Sequence, residues 1–335
     1  MKRLFVKSVI AAVALVAAGM ASAQNYTERT VKFGTQNAPG HPSVQGMEKF
    51  KSIVEAKSGG KIKVNLFPGG QLGNDQFHVS GLQGGTIEMT VMNSGILASQ
   101  VPAFAIFDFP FMFESEAVAD KIVDGTFGKK MHGRLEEKGI VGLAYWELGF
   151  RNMTNSKRPL NKVEDIAGLK LRVIPNPINL DWVKALDANP TPLPFPELYG
   201  ALENKAVDGQ ENPIPTIKGS KLNEVQKHLA LTKHVYNPQS VIISKKFWDS
   251  LNNDEKKLLG DAAQESAIFQ RQTNRAALTK DLADLKAAGM LVTEFPPAET
   301  AKFVEKMKPV IGKYAANVGA EVVNDFLAAS AAAKK

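Results

Sequence analysis

The chain has 335 residues, a formal net charge of +7 and 44% hydrophobic residues, which is ample for two cores of ordinary size and excludes a disordered polymer. It contains no cysteine, which removes a disulfide framework, a thiolate metal site and a lipid-bearing cysteine anchor together. Its bases are mixed with acids along the chain, the pattern of a solvated surface and not of a nucleic-acid stripe.

Lys2, Arg3 and Lys7 precede an apolar run from Val9 to Ala18, and Ala21-Ser22-Ala23 is a small-x-small cleavage site. That order is the form of a secretory signal peptide over residues 1–23, with an apolar run too short to anchor in a bilayer. The mature chain is expected to begin at Gln24 and, without the three leader bases, to carry +4. An exported chain with no anchor is kept by a cell only between two membranes, so the expected address is a Gram-negative periplasm. No later segment offers the roughly eighteen consecutive apolar residues of a membrane span.

Beyond the leader, Thr30–Phe33 reads as a short strand. Gly46–Lys57 is a helix with Met47, Phe50, Ile53 and Val54 on one face, stopped by Gly59-Gly60. Lys61–Phe67 alternates as a half-buried strand, Pro68-Gly69-Gly70 turns, and Asp75–Leu82 is a helix capped by Asn74. Thr86–Met92 is the next strand. Phe104–Phe113 holds five phenylalanines, and a packed core segment explains them better than an aromatic ligand cage. Glu116–Ile122 and Gly128–Lys138 read as helices, Ile140–Leu148 as a strand followed by a loop, and Leu169–Ile174 as a strand. Helices near Asn179–Leu186 and Glu197–Asn204 and a strand from Val207 continue the alternation, which predicts α/β domains with largely parallel sheets. Asn253–Ala288 is a long helix capped by Asn252 or Asn253 that either braces two domains or breaks near Asn274. The Ala/Lys-rich end, Ala328–Lys335, is expected to fray.

Sequence signatures of catalysis are missing: there is no Gly-x-Ser-x-Gly, phosphate-binding loop, Gly-x-Gly-x-x-Gly or His-Glu-x-x-His. The five histidines are scattered, so no metal site and no cofactor are expected. Arg172 in Gly-Leu-Lys-Leu-Arg-Val points away from the face of Leu169, Leu171 and Val173, near the carboxyl end of its strand. Ligands bind at such strand ends, and a guanidinium fork matches a carboxylate. On local pattern alone, a surface or structural ion pair is the simpler reading of Arg172. Arg151, after a strand and a Gly-Phe turn, fits a loop brace as well as a ligand contact. Asn212, just before Pro213, offers both a donor and an acceptor to a ligand, with turn chemistry as the alternative.

Four motifs in register resemble one family across essentially the whole mature chain. They are Pro68-Gly-Gly-Gln-Leu-Gly73, Gly149-Phe-Arg-Asn-x-Thr-Asn-Ser-Lys-Arg-Pro159, Gly168-Leu-Lys-Leu-Arg-Val173, and Phe195-x-Glu-Leu-Tyr-x-Ala-Leu202 with Val207-Asp-Gly-Gln-Glu-Asn-Pro213. They are similar to the DctP-type solute-binding proteins of TRAP (tripartite ATP-independent periplasmic) transporters. The resemblance implies a two-lobe α/β periplasmic binding-protein fold with crossing hinge strands and a long helix bracing both lobes. It places domain I at 24–148 and 238–277, and domain II at 149–237 and 278–335. It implies that Arg172 pairs with the substrate carboxylate, with Arg151 and Asn212 beside it, Phe195 against the ligand and Asp75 on the opposite lobe. Gln36, His41, Asn93, Glu147 and Asn176 match further cleft positions.

Sialate-binding members carry an acid and then an arginine where this chain reads Asn93-Ser94-Gly95-Ile96. The expected ligand is therefore a hydroxylated monocarboxylate such as a sugar acid or hydroxy acid, with a C4-dicarboxylate as the alternative. The expected partners are that organic acid and the TRAP membrane permease subunits, and the protein is expected to be a monomer. The rivals are a periplasmic enzyme on the same scaffold, a binding subunit of an ABC importer, and a sensor presenting ligand to a receptor kinase.

Overall fold

The computed structural model describes residues 24–334, so the signal peptide expected at 1–23 lies outside the described residues. In chain order, β1 (Arg29–Gly34), α1 (Pro42–Lys57), β2 (Ile62–Phe67), α2 (Asp75–Gly84) and β3 (Met89–Asn93) build the first half. Two 3-10 segments, Ser94–Ser99 and Pro102–Asp108, lead to α3 (Glu116–Asp124) and α4 (Thr126–Gly133). Then come β4 (Ile140–Asn155), β5 (Lys170–Val173), α5 (Pro177–Lys184), β6 (Asn189–Pro192), α6 (Leu198–Glu203), β7 (Gly209–Asn212) and α7 (Ile214–Gly219). The chain finishes with β8 (His228–Ser244), α8 (Lys245–Asp249), α9 (Asn253–Ala287), β9 (Leu291–Glu294), α10 (Pro297–Val318) and α11 (Ala320–Ala333). Among the described residues no helix is long and apolar enough to cross a membrane.

The strands form one continuous sheet in the order β2-β1-β3-β8-β4-β7-β5-β6, with β9 also on β8. The pattern predicted largely parallel sheets; the observed sheet is mixed. β1 runs parallel to β2 and β3, and β5 to β6 and β7. The joining pairs β3–β8, β4–β8 and β4–β7 are antiparallel. The cause is length: β4 and β8 have 16 and 17 residues, so each runs through both halves. β3 pairs with Gln239–Ile243 at one end of β8, while β7 pairs with Asn152–Asn155 at the far end of β4.

The strand expected at Ile140–Leu148 thus does not give way to a loop. It passes through a register shift between Glu147 and Gly149, where Gly149 takes φ +109°. A bulge with left-handed backbone is a position glycine fills without steric cost. Arg151 consequently lies inside a strand, not in a loop.

Helix α9 is unbroken across 35 residues, about 50 Å. Asn252 caps it: its Oδ1 accepts from Glu255 N at 2.9 Å, and Glu255 accepts from Asn252 N at 3.0 Å. Asn274 does not break the helix, because its side chain donates sideways to Glu147 at 2.9 Å. α9 meets α1 through Lys49–Glu265 at 3.3 Å and α7 through Lys218–Asp281 at 2.8 Å, so it contacts both halves.

Phe104, Phe107, Phe109 and Phe113 are buried in the largest core, as their apolar run implied. The expected fraying from Ala328 does not occur, since α11 continues to Ala333. Val322, Phe326, Ser330 and Ala333 make a buried stripe, and the Phe326 ring lies 5.2 Å from Phe113 and 5.4 Å from Phe127.

Close packing of α1 against the sheet and α9 depends on Gly46, where an added Cβ would lie 2.8 Å from Trp146 and 2.9 Å from Gln270. Gly46→Ala should lower the unfolding free energy by roughly 1–3 kcal/mol despite the better helix propensity of alanine. Urea titration measures it; an unchanged midpoint would mean that this seam has slack.

Candidate ligand-binding site

The parallel strands of both halves end at one cavity of about 280 Å³. That volume is at the small end of the roughly 300–1,000 Å³ of small-molecule sites. Gln36 follows β1, Asn93 ends β3, Arg172 lies near the end of β5 and Asn212 ends β7, and all four line it. This is the carboxyl edge at which open α/β sheets present their loops and side chains. Asp75, the first residue of α2, and Phe195, ahead of α6, complete the opposing walls.

Arg172 is 2% exposed. Its Nε and Nη2 donate to the carbonyl of Leu193 at 2.9 and 2.7 Å, and its Nη1 has no protein partner. The guanidinium carbon lies 5.8 Å from the centroid of the Phe195 ring, within cation–π range. Burial draws its pKa down to about 10, with Glu211 opposing that fall and Arg151 adding to it. A buried cation with an unspent donor is an anion site in waiting, because desolvation leaves it short of a counter-charge.

Arg151 also borders the cavity, but its charge is already matched. Glu211 on β7 faces Met153 of β4, two residues along from Arg151, so the two side chains form a diagonal cross-strand pair. Arg151 Nη2 donates to Glu211 Oε1 at 2.7 Å and Nε donates to Oε2, while Nη1 donates to Asn237 at 3.0 Å. Burial alone would raise the Glu211 carboxyl, yet Arg151 and His234 bring it down to about 2. Asp75 behaves in the opposite way. Enclosure pushes its carboxyl up to about 7 although part of its surface opens to the cavity, and Arg172 only moderates the rise.

The remaining wall is uncharged, with Val91, Met92, Ile96, Leu148 and Ile174 as apolar lining beside neutral polar side chains. Asn93 is 6% exposed with neither its amide nitrogen nor its oxygen bonded to protein. Gln36 donates to the Gly73 carbonyl at 2.9 Å and leaves its own oxygen unpartnered. The Asn212 amide donates to Gln210 at 2.6 Å.

Three expected cleft residues are not in the wall. Glu147 is held by Arg275 at 2.6 Å, Asn274 at 2.9 Å and Tyr236 at 3.0 Å, so it fastens α9 to β4. Asn176 donates to Asp108 at 2.8 Å and to the Gly95 carbonyl at 3.3 Å. His41 caps α1 and contacts Thr216 at 3.1 Å. Nearby buried groups thus take up the Glu147 carboxylate, both His41 ring nitrogens and the Asn176 amide nitrogen. Among the residues that the sequence does not single out, Thr216 lines the cavity and Glu211 matches Arg151. Thr216 follows Asn212 by one helical turn after Pro213, a spacing that could have flagged it. Glu211 was invisible as a partner because 60 residues separate it from Arg151. Among the described residues, no group of three His, Asp or Glu is placed to hold a metal ion.

The depressed Glu211 carboxyl has a pH consequence. Its contribution to stability is complete above the ordinary value of 4.5 and declines as pH falls from there toward about 2. Glu211→Gln should cost roughly 3–5 kcal/mol near neutrality, because Arg151 is left buried and unpaired. The same variant should flatten the acid side of the stability profile. Urea unfolding from about pH 7 to about pH 3 tests both; parallel profiles would exclude Glu211 as the source.

Comparison with known proteins bears on the fold and the family. The family model for bacterial extracellular solute-binding proteins, family 7 (DctP), matches residues 33–317. The 2,3-diketo-L-gulonate-binding periplasmic protein YiaO of Escherichia coli (strain K12) is 37% identical over 281 residues, covering 83% of this chain and 86% of that protein. The sugar acid binding protein DctPAm of Advenella mimigardefordensis strain DPN7T, solved with galactonate, is 42% identical with a TM-score of 0.91, over 92% of this chain and 100% of that one. A TRAP periplasmic solute-binding protein from Polaromonas sp. JS666, bound to D-erythronate, is 37% identical with a TM-score of 0.86, over 91% of this chain and 99% of that one. A shared fold, near-complete mutual coverage and a matching family model together show that the chain belongs to the DctP family of TRAP-transporter solute-binding proteins, a solute-binding and not an enzymatic family.

Proposed function

We propose that this protein captures a hydroxylated monocarboxylate, a sugar acid or hydroxy acid, in the periplasm and delivers it to TRAP membrane permease subunits. In this reading the ligand carboxylate pairs with Arg172. The observation that carries it is the free Nη1 of a buried arginine whose protein hydrogen bonds both end on a carbonyl and not on a carboxylate. Asn93, Gln36, Asn212 and Thr216 supply neutral donors and acceptors for hydroxyls, and Phe195 supplies an apolar face. Relatives solved with galactonate and D-erythronate support the same ligand class. A C4-dicarboxylate is less well matched, since Arg151 is spent on Glu211 and Asp75 would repel a second carboxylate when ionised.

Export rests on the leader sequence at residues 1–23 and on the periplasmic relatives. The division into domains at 24–148 with 238–277 and 149–237 with 278–335 is supported by the Gly149 bulge, which falls where β4 would pass from one to the other. The two domains are proposed to hinge there around the ligand.

Arg172→Lys keeps the charge and loses the two-pronged fork. Calorimetric titration with D-galactonate should show a loss of about thirtyfold to several thousandfold, the equivalent of roughly 2–5 kcal/mol for breaking a buried charge pair. Binding near the wild-type level would remove the fork argument, and wild-type binding by Arg172→Ala would remove Arg172 from the site. Succinate should bind the wild type at least about tenfold more weakly than D-galactonate; the reverse order would favour the dicarboxylate. Small-angle scattering tests the hinge, with a smaller radius of gyration expected at saturating D-galactonate and an unchanged one counting against it.

A further inference from the structure

Thr216 stands in the first turn of α7, is 2% exposed and lines the cavity. Its Oγ lies 3.1 Å from Nε2 of His41. His41 comes from the other half of the molecule, where it caps α1 and its Nδ1 accepts from the Ser43 backbone N–H at 3.0 Å. A ring nitrogen that accepts carries no proton, so the proton of a neutral imidazole here must be on Nε2. Burial keeps the ring neutral by pushing its pKa down to about 3. The Nε2–H therefore donates to Thr216 Oγ. That is the hydroxyl's one protein hydrogen bond among the described residues, and its own O–H is left over.

We propose that Thr216 is a specificity-determining donor to an oxygen of the bound acid, and that His41 is the positioning residue that orients its hydroxyl from across the cleft. The polar chain runs from Ser43 N–H to His41, from His41 to Thr216, and from Thr216 to the ligand. Two consequences follow. With one lone pair of Oγ occupied by His41, the hydroxyl keeps an unspent O–H, so the site favours an acceptor oxygen at that point. The relay also needs both halves in place, since His41 precedes α1 and Thr216 lies in α7. This inference rests on the organic-acid reading and adds to it a second recognition point besides Arg172.

Calorimetric titration with D-galactonate and D-erythronate, together with melting of the ligand-free protein, tests it. Thr216→Val keeps the shape and removes the hydroxyl; it should lose about tenfold or more in affinity. Thr216→Ser keeps the hydroxyl and should stay within about threefold of wild type. His41→Asn preserves a good helix cap but is too short to reach Thr216. It should weaken binding about as much as Thr216→Val, with a near-normal ligand-free melting temperature. The double variant should lose no more than either single one, because both break the same relay. Wild-type affinity in Thr216→Val overturns the proposal, and additive losses in the double variant overturn the positioning role of His41. Should His41→Asn fail to fold, the Thr216→Val and Thr216→Ser pair still decides the donor. If the wild type binds neither acid, the organic-acid reading falls and this inference with it.

Discussion

The pairing of Arg151 with Glu211 sets the electrostatics on which the site depends. Two arginines reach one small cavity, and two bare cations there would repel each other and suffer doubly from desolvation. Glu211 removes one of them from play by binding Arg151 side-on, with Asn237 holding the remaining Nη1. Arg172 is left as the guanidinium with an unused N–H, in a wall that combines aliphatic side chains and an aromatic ring with amides, hydroxyls and one reluctant acid. A cavity with one unmatched cation and several neutral polar groups suits the hydroxylated monocarboxylate proposed above.

The same pair is also architectural. Arg151 is on β4 and Glu211 on β7, while Asn237 is on β8, so one cluster ties three neighbouring strands of the shared sheet. A few residues earlier on β4, Glu147 does the corresponding job for the helix. Its backbone exchanges two hydrogen bonds with the Gln270 side chain, each 2.8 Å, and its carboxylate receives Arg275 and Asn274. Between these anchors sits the Gly149 bulge. The sheet is thus pinned on both sides of this bulge, and α9 spans the two halves alongside it.

Much of the local structure was legible because it depends on short-range chemistry. Asn74 and Asn252 both cap the helices they precede, and the amphipathic stripe of α1 faces the core as its spacing required. Where neighbours in space outweighed neighbours in sequence, the reading failed. Glycine followed by Phe150 looked like a turn, yet β8 lies alongside and accepts the chain as a bulged strand. The alanine-rich terminus looked frayed, yet Phe113 and Phe127 give Phe326 a place to dock.

Sequence by itself determined the alternation of strands and helices, the cap that starts α9, the family, and the orientation of Arg172 away from the apolar face of its strand. Those follow from periodicity and from motifs whose residues lie within a few positions of one another. Only the tertiary structure decided which polar residues remain free for a ligand. Arg151, Glu147, Asn176 and His41 are each engaged by partners from distant segments, while Arg172, Asn93 and Gln36 keep atoms without a protein partner. Whether a side chain binds a solute or braces the fold depends on how many of its hydrogen bonds are already made. That count is fixed by contacts across the folded chain, which no local pattern records.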